Sequence, residues 1–527
     1  MVRRGLSSQA VAGGGGEGTP ADTGGDMTEA VATTKRAGAA PARGDAAAVE
    51  AAREVLARSG VRYVYCFFTD VRGILQSFTI PVEEFTEGRA FEEGIGFDGS
   101  SVRGFKTIDE SDMMWLPDPV TLRVIPWVTD PIQKAAFLLG DVYEAYGGGP
   151  AECDPRGAVK RVVEKARAMG YAPIMAPEIE FFVFQKFDPT RLVWDLWVSP
   201  SGGKMDAWGG PRPLPESPEL GNGRPGIRPK EGYFRAPPED TTNDFRNELA
   251  HYLTQLGVRV EYHHHEVATA GQVELDYKPM DPVACADAAV VYKFAAKNVA
   301  KMRDMIAVFM PKPLYLDNAS GMHTHQSLWR DGANAFYDPE DEYAELSQVG
   351  RWYVGGLLAH AKALTAITCP TVNSYKRLVP GFEAPINIMW SRRNRSALCR
   401  IPVYKRGPEF QKEKRVEYRA ADPTANPYLA FAAMLAAGLD GIEKRIEPPA
   451  PVDRDVYEMS EGEKAALGIG ALPTTLKDAL GELEKDEVIC AALGETIVRA
   501  FVELKTSEWN QYCLQLTPWE VVKYLDY

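Results

Sequence analysis

"APEIEFFVF", residues Ala176–Phe184, decides how the rest of this chain is read. Phe181, Phe182, Val183 and Phe184 form a continuous apolar run that reads as a buried strand. Glu178 and Glu180 stand two residues apart just ahead of it. Strand side chains alternate faces, so both carboxylates project the same way. Two like charges beside apolar neighbours are costly unless a cation compensates them. This stretch therefore predicts a sheet that presents a cation site.

The two-residue spacing recurs. His323 and His325 lie in "NASGMHTHQSLW", and Glu417 and Arg419 lie in "RVEYRAADPTANPY". Glu266 and Glu274 flank a glycine in "HHHEVATAGQVELDY", where a bend returns one carboxylate towards the other. Five glutamates with one or two histidines form an oxygen-rich donor set. Such a set favours Mg²⁺ or Mn²⁺ over zinc. Two such cations suit phosphoryl chemistry, because they bridge and neutralise phosphate oxygens. Basic residues complement them: Lys376 and Arg377, then Arg392, Arg393, Arg395 and Arg400, then Lys412, Arg415 and Arg419. Guanidinium forks bind phosphate and carboxylate bidentately.

Other signals are weaker. "GNGRPG" and "GGGGEG" match a dinucleotide-binding spacing, but neither follows a strand and opens a helix. No P-loop pattern occurs. Three consecutive histidines, His263 to His265, alternate faces and cannot converge on one zinc, and Thr269 stands where a second zinc-binding histidine would be needed.

The chain has 527 residues, 45% hydrophobic and 25% charged, with a formal net charge of −14. The acidic balance argues against a nucleic-acid partner, which needs clustered Lys and Arg. Seven scattered cysteines without a CxxC fit reduced thiols and a cytoplasmic location. No apolar run reaches the length of a membrane span. Residues 1–46 are rich in Gly and Ala and read as a disordered leader. Helical spacing follows over Ala48–Gly60, then the strands "VRYVYCFFTD" and "ILQSFTIP". A linker over Tyr146–Pro155 separates a first domain, 47–147, from a second, 148–527. Long helices are expected at about 282–309, 346–368 and 424–445. Strands and helices follow no strict alternation, which argues for an α+β fold.

With these residues in place, the chain resembles type I glutamine synthetase. The matching stretches are "FDGSSVRGF", "PEIEFF", "GYFRAPP", "HHHEVATAGQVE", "NASGMHTHQSLW", "KRLVPGFEAP", "NRSALCRIP" and "RVEYRAADPTANPYLAFAAML", in family order. The resemblance implies an N-terminal β-grasp domain and a large catalytic domain with a curved antiparallel sheet. It also implies a homo-oligomer, a dodecamer of two hexameric rings, with active sites between subunits. The implied reaction joins ammonia to L-glutamate with ATP, through γ-glutamyl phosphate.

The resemblance assigns Glu180, Glu266 and Glu274 to one metal and Glu178, His323 and Glu417 to another. It assigns Asn318, Ala319, Arg377, Glu383, Arg395 and Arg419 to glutamate; the family usually has Gly in place of Ala319. ATP falls to Glu261, His325, Ser327, Arg400, Lys412 and Arg415. Asp98 would take the proton from ammonium in a pocket completed by Ser101, Tyr233 and Glu266. Glu383 would close the site, and Arg395 would touch the transferring phosphoryl group. Larger amines are the alternative to ammonia; the intact set of Asp98, Ser101, Tyr233 and Glu266 favours ammonia. A non-catalytic relative would have lost metal ligands, and all six are present. Tyr457 falls near the tyrosine that some members adenylylate, but its surroundings differ from the regulated form.

Overall fold

The computed structural model describes residues 45–188, 193–195, 204–206, 210–211, 227, 230–269, 271–381 and 384–527. Nearly all of the expected leader, and Glu383, lie outside the described residues. The first helix runs Ala46–Ser59, two residues earlier than expected, because the Asp45 side chain accepts from the Ala47 N–H and caps it. Gly60, at φ 69°, ends it.

A 6-stranded sheet follows: β1 (Tyr63–Thr69), β2 (Leu75–Pro81), β3 (Ile95–Asp98), β4 (Asp112–Pro117), β5 (Arg123–Val124) and β6 (Ala135–Glu144). Its main path is β2-β1-β6-β4-β3, with β1 and β6 parallel. Trp115 is fully buried and donates from Nε1 to the Phe67 carbonyl at 3.1 Å. The tip of β3 carries Asp98 on the exposed rim.

The second part is organised by β7 (Ala172–Phe184). A small sheet of β8 (Lys186–Asp188), β9 (Val193–Asp195), β10 (Lys204–Asp206) and β11 (Gly210–Pro211) follows. The remaining strands are β12 (Val260–His265), β13 (Gln272–Tyr277), β14 (Ile306–Val308), β15 (Met322–Arg330), β16 (Ala333–Asn334), β17 (Asn387–Arg392), β18 (Ala397–Ile401), β19 (Val416–Tyr418) and β20 (Gly470–Ala471). With β7 they form a 10-stranded sheet whose main path is β12-β13-β7-β15-β19-β18-β17-β20. Its pairs are antiparallel except β17 with β18.

Alternation along β7 splits its phenylalanines. Phe181 stacks on Phe309 with centroids 4.7 Å apart, in the main core. Phe182 and Phe184 stack on each other at 5.6 Å in a smaller cluster with Val308 and Leu314. The face that bears Glu178 and Glu180 thus continues as an apolar plug.

Two expected helices differ. The helix from Pro282 ends at Met302, not near 309. Asp304 turns left-handed at φ 53°, and Ile306–Val308 then pairs with Phe184–Phe182 of β7. The span expected at 346–368 breaks at His360 into helices Gln348–Ala359 and Ala361–Thr368. The first of these crosses helix Pro427–Lys444 so closely that a Cβ on Gly441 would lie 2.1 Å from the Trp352 carbonyl oxygen. Only glycine permits that approach.

Buried charge locks the two parts together. Arg156 reaches Asp287 at 2.8 Å, Asp141 at 2.7 Å and Asp118 at 2.7 Å. The Tyr428 hydroxyl adds a bond to Asp287 at 2.7 Å. From helix Pro427–Lys444, Asn426 at its N-cap donates to the Asp70 carbonyl at 3.1 Å.

The break at His360 is also a charged joint. Its ring lies 2.7 Å from Asp486 and 3.1 Å from Asp440. Burial alone would lower its pKa, but bonds to Asp486 and Asp440 raise it overall. A raised histidine stabilises the fold fully below its unfolded pKa near 6.5, and this is lost as pH rises through the folded value. His360→Gln is expected to cost about 3 kcal/mol at pH 6, because half-buried Asp486 loses its cation and buried Asp440 is left with Lys444 alone, at 2.9 Å. The gap to wild type should narrow at alkaline pH. Denaturant midpoints at both pH values check this; a gap that does not depend on pH contradicts it.

Candidate active site

Cross-strand partners share a face, so the register of the large sheet arranges the charged residues in rows. His264, Glu274 and Glu180 form one row across β12, β13 and β7. Tyr262, Asp276, Glu178 and His323 form the next, which extends to β15. His325, Glu417 and Arg400 form a third across β15, β19 and β18. All belong to one wall, and most of them line a single pocket with Tyr233, Glu266, Asn318, Ala319, Arg377, Arg395 and Arg419.

Within it, two groups each bring ligand atoms within 4.8 Å of one another: Glu178, His323 and Glu417, and His264, Glu266 and Glu274. The first group is the expected one. In the second, His264 stands where Glu180 was expected. His264 lies 3.3 Å from Glu274 and 3.7 Å from Glu266. Glu180 keeps its place beside Glu274, but its carboxylate accepts from the Gln272 amide at 3.2 Å and the Gly321 N–H at 3.0 Å. It also lies 3.9 Å from His323, so it sits between the two groups. His264 was not among the residues expected in this group. The available signal was parity: residues 264 and 266 are two apart, so one member of the histidine run can join Glu266.

The electrostatics follow from crowding. Burial pushes the Glu274 carboxyl well up, and Asp276, Glu178, Glu266 and Glu180 add to this. Burial likewise raises Asp276, next to Glu178, and one Asp276 oxygen has no hydrogen-bond partner among the described residues. Burial would raise Glu178 too, but His325 and His323 outweigh it and hold Glu178 well below the usual range. Glu178 meets His325 at 2.6 Å and His323 at 3.2 Å. Glu417 is fully buried between Arg400, at 2.6 Å, and Arg419. This much acidic charge, carried by hard oxygen donors with two histidines, fits divalent cations such as Mg²⁺ or Mn²⁺.

Other expected residues spread more widely. Arg377 is buried and donates to the Arg419 carbonyl at 3.1 Å and to the Ala420 carbonyl. The Ala319 carbonyl accepts from Gln272 at 3.1 Å. Arg395 bonds the Tyr233 phenol, and the Tyr233 ring lies 5.3 Å from that of His264. Arg415 donates to His325 at 3.1 Å and reaches Glu178 only through that ring. Ser327 is buried and accepts from Trp329 at 3.1 Å. Glu261 is exposed at an irregularity in β12, and Lys412 is exposed on the turn Pro408–Glu413. None of these last four lines the carboxylate pocket. Ser101, in the turn after β3, donates to Asp98 at the end of that strand at 2.6 Å; both are exposed and do not line their own chain's pocket. The Tyr457 phenol donates to the Ala384 carbonyl at 2.7 Å.

Comparison with known proteins places the chain in a family. The family profile described as "Glutamine synthetase, beta-Grasp domain" matches residues 60–145. The profile "Glutamine synthetase, catalytic domain" matches residues 152–524. Glutamine synthetase of Archaeoglobus fulgidus is 61% identical over 91% of this chain and 97% of its own length. A chain solved as a GmaS/ADP complex superposes with a TM-score of 0.74 at 30% identity, covering 90% of this chain and 99% of that one. Plasmodium falciparum glutamine synthetase superposes with a TM-score of 0.77 at 26% identity, covering 90% and 98%. Both profiles in their proper order, and high identity along nine-tenths of the chain, make this protein a member of the glutamine synthetase family.

Proposed function

We propose that this protein makes glutamine, joining ammonia to the γ-carboxylate of L-glutamate at the expense of ATP. The observation that carries the reading is the pair of carboxylate–histidine groups in one pocket walled by arginines. Glu178, His323 and Glu417 would hold one divalent cation, and Glu266 and Glu274 with Glu180 or His264 the other. When bound, these cations supply charge neutralisation to phosphate oxygens.

The chain's own residues do the rest. Arg377, Arg419, Asn318 and the Ala319 carbonyl hold glutamate, with Glu383 closing over it. Arg395 and Arg400 meet charge that develops on the transferring phosphoryl group, which makes γ-glutamyl phosphate. His325 and Arg415, with Ser327, Lys412 and Glu261 behind or beside them, form the nucleotide side. Ammonium has no lone pair, so a carboxylate must take its proton before attack. Asp98 takes that role from a neighbouring copy of the chain, with Ser101, against Tyr233 and Glu266. Bonds from Ser100 and then Ser101 hold the Asp98 carboxyl below its ordinary range, so it is charged and ready to bind the cation.

Assembly into rings is supported by the apolar C-terminal segment, where Leu514, Val522, Leu525 and Tyr527 are more than 75% exposed on the isolated chain. Among the described residues no helix is long and apolar enough to cross a membrane. Five of seven cysteines are buried and none is paired, in keeping with a cytoplasmic site.

The test compares ammonium with methylamine, ethanolamine and putrescine, with ADP release as the readout. Release is expected to need Mg²⁺, glutamate and an amine together, and to be fastest with ammonium. Faster turnover with a larger amine would make the protein a γ-glutamyl-amine ligase. No release with any amine would make it non-catalytic.

A further inference from the structure

We propose that the arginine-lined cavity beside the carboxylate pocket is a vestibule that gathers the amino dicarboxylate substrate, with Arg393 as its steering residue. This rests on the glutamine-forming reading above.

The cavity measures about 840 Å³. It shares Tyr233, Val267 and Arg395 with the carboxylate pocket, so the two adjoin. One wall is the turn between β17 and β18, and the other is the segment around Asp453–Tyr457. Asn394 braces the walls. Its amide donates to the Arg454 carbonyl at 2.9 Å, and its oxygen accepts from the Ser396 N–H at 3.0 Å. The cavity is therefore built into the fold rather than left between loose loops.

Its charge is the reverse of the protein's. Arg392, Arg393, Arg395 and Arg454 face it, against Asp453 and Asp455, in a chain of net charge −14. Both aspartates are engaged: Asp453 accepts from the Tyr343 hydroxyl at 2.6 Å, and Asp455 from the Tyr457 N–H at 2.9 Å. Arg392 is engaged too, with its guanidinium on the Tyr343 carbonyl at 2.6 Å and 3.4 Å from Asp453. The Arg393 side chain makes no hydrogen bond or ion pair among the described residues. Its backbone is left-handed at φ 64°, a conformation that a non-glycine residue adopts at a cost. An exposed cation on a strained turn, at the mouth of an otherwise acidic protein, concentrates the field on approaching anions.

The position selects which anion. The cavity opens through Tyr233, whose ring lies against His264, and so on the side of Glu266 and Glu274. His325 and Arg415, on the nucleotide side, do not line it. The dicarboxylate, not ATP, therefore meets this field first.

Arg393→Asn tests the idea, since asparagine tolerates left-handed backbone. At low ionic strength kcat/KM for glutamate is expected to fall roughly three- to tenfold. The kcat and the KM for ATP should hold, and the gap should close as salt screens the field. Arg393→Lys should restore most of the loss. An unaltered glutamate kcat/KM, or an equal rise in the KM for ATP, overturns the vestibule while the reaction stands. If wild type releases no ADP with glutamate and ammonium, the reaction assignment falls and this inference falls with it.

Discussion

Glu417→Gln is expected to destabilise the protein by about 3–5 kcal/mol. The carboxylate is fully buried, with Arg400 at 2.6 Å and Arg419 also in contact. Glutamine keeps the shape and removes the charge, so two buried guanidiniums are left without a counter-ion. Burial acts to raise the Glu417 pKa from 4.5, but the Arg419 charge, helped by His325 and Arg400, brings it to about 2. A depressed carboxylate contributes stability that is fully present above the unfolded pKa and lost as pH falls through the folded one. Measured in chelator, so that added cations do not intervene, the gap between wild type and variant should be constant above about pH 4.5. It should close towards pH 2. Turnover should fall with stability, because the Glu178, His323 and Glu417 group loses a member. A variant with the wild-type denaturant midpoint would show that the arginines find other partners.

Mixing two inactive variants is expected to restore activity. Asp98→Ala keeps an intact carboxylate pocket, and Glu178→Gln keeps an intact Asp98. Each alone should lose roughly 10²–10⁴-fold in turnover, the usual worth of a positioned proton acceptor or more. Asp98 is exposed at the tip of β3 and does not line its own pocket. If a neighbouring copy supplies it, random co-assembly at equal amounts pairs an intact pocket with an intact Asp98 at about one site in four. Co-expression with two affinity tags, followed by sequential purification, isolates the mixed assembly. Activity that stays at the level of the separate variants would place Asp98 within its own chain's reaction or outside the reaction altogether.

Much of the site was legible because strand spacing is a strict rule. The pairs Glu178/Glu180 and His323/His325 both project from one wall, and Glu417 joins them through its pairing with His325. Several features escaped, and three show why. The end of the helix from Pro282 depended on a left-handed Asp304, and its apolar continuation Ile306–Val308 suits a strand as well as a helix. His264 was passed over because a run of three histidines was judged as a unit, although alternation selects single members. Ser327 has the right parity on β15, yet Trp329 holds its hydroxyl in the interior. Parity assigns a face but not a depth, and depth is set by packing that no local spacing encodes.

The row arrangement also fixes where this protein tolerates changes in length. One residue inserted into β7 between Ala172 and Glu178 would send both glutamates to the opposite face, because a single-residue slip exchanges the two sides of a strand. The sheet thus acts as a parity check on its own coding sequence. The hairpin between Glu266 and Glu274 is under a weaker constraint: its turn lies outside the paired residues His265↔Val273 and His264↔Glu274. Insertions and deletions among related chains should therefore gather in that turn and in the stretch after β7, and be rare within the strands themselves. The gap pattern of an alignment would then outline the catalytic wall without any structure in hand.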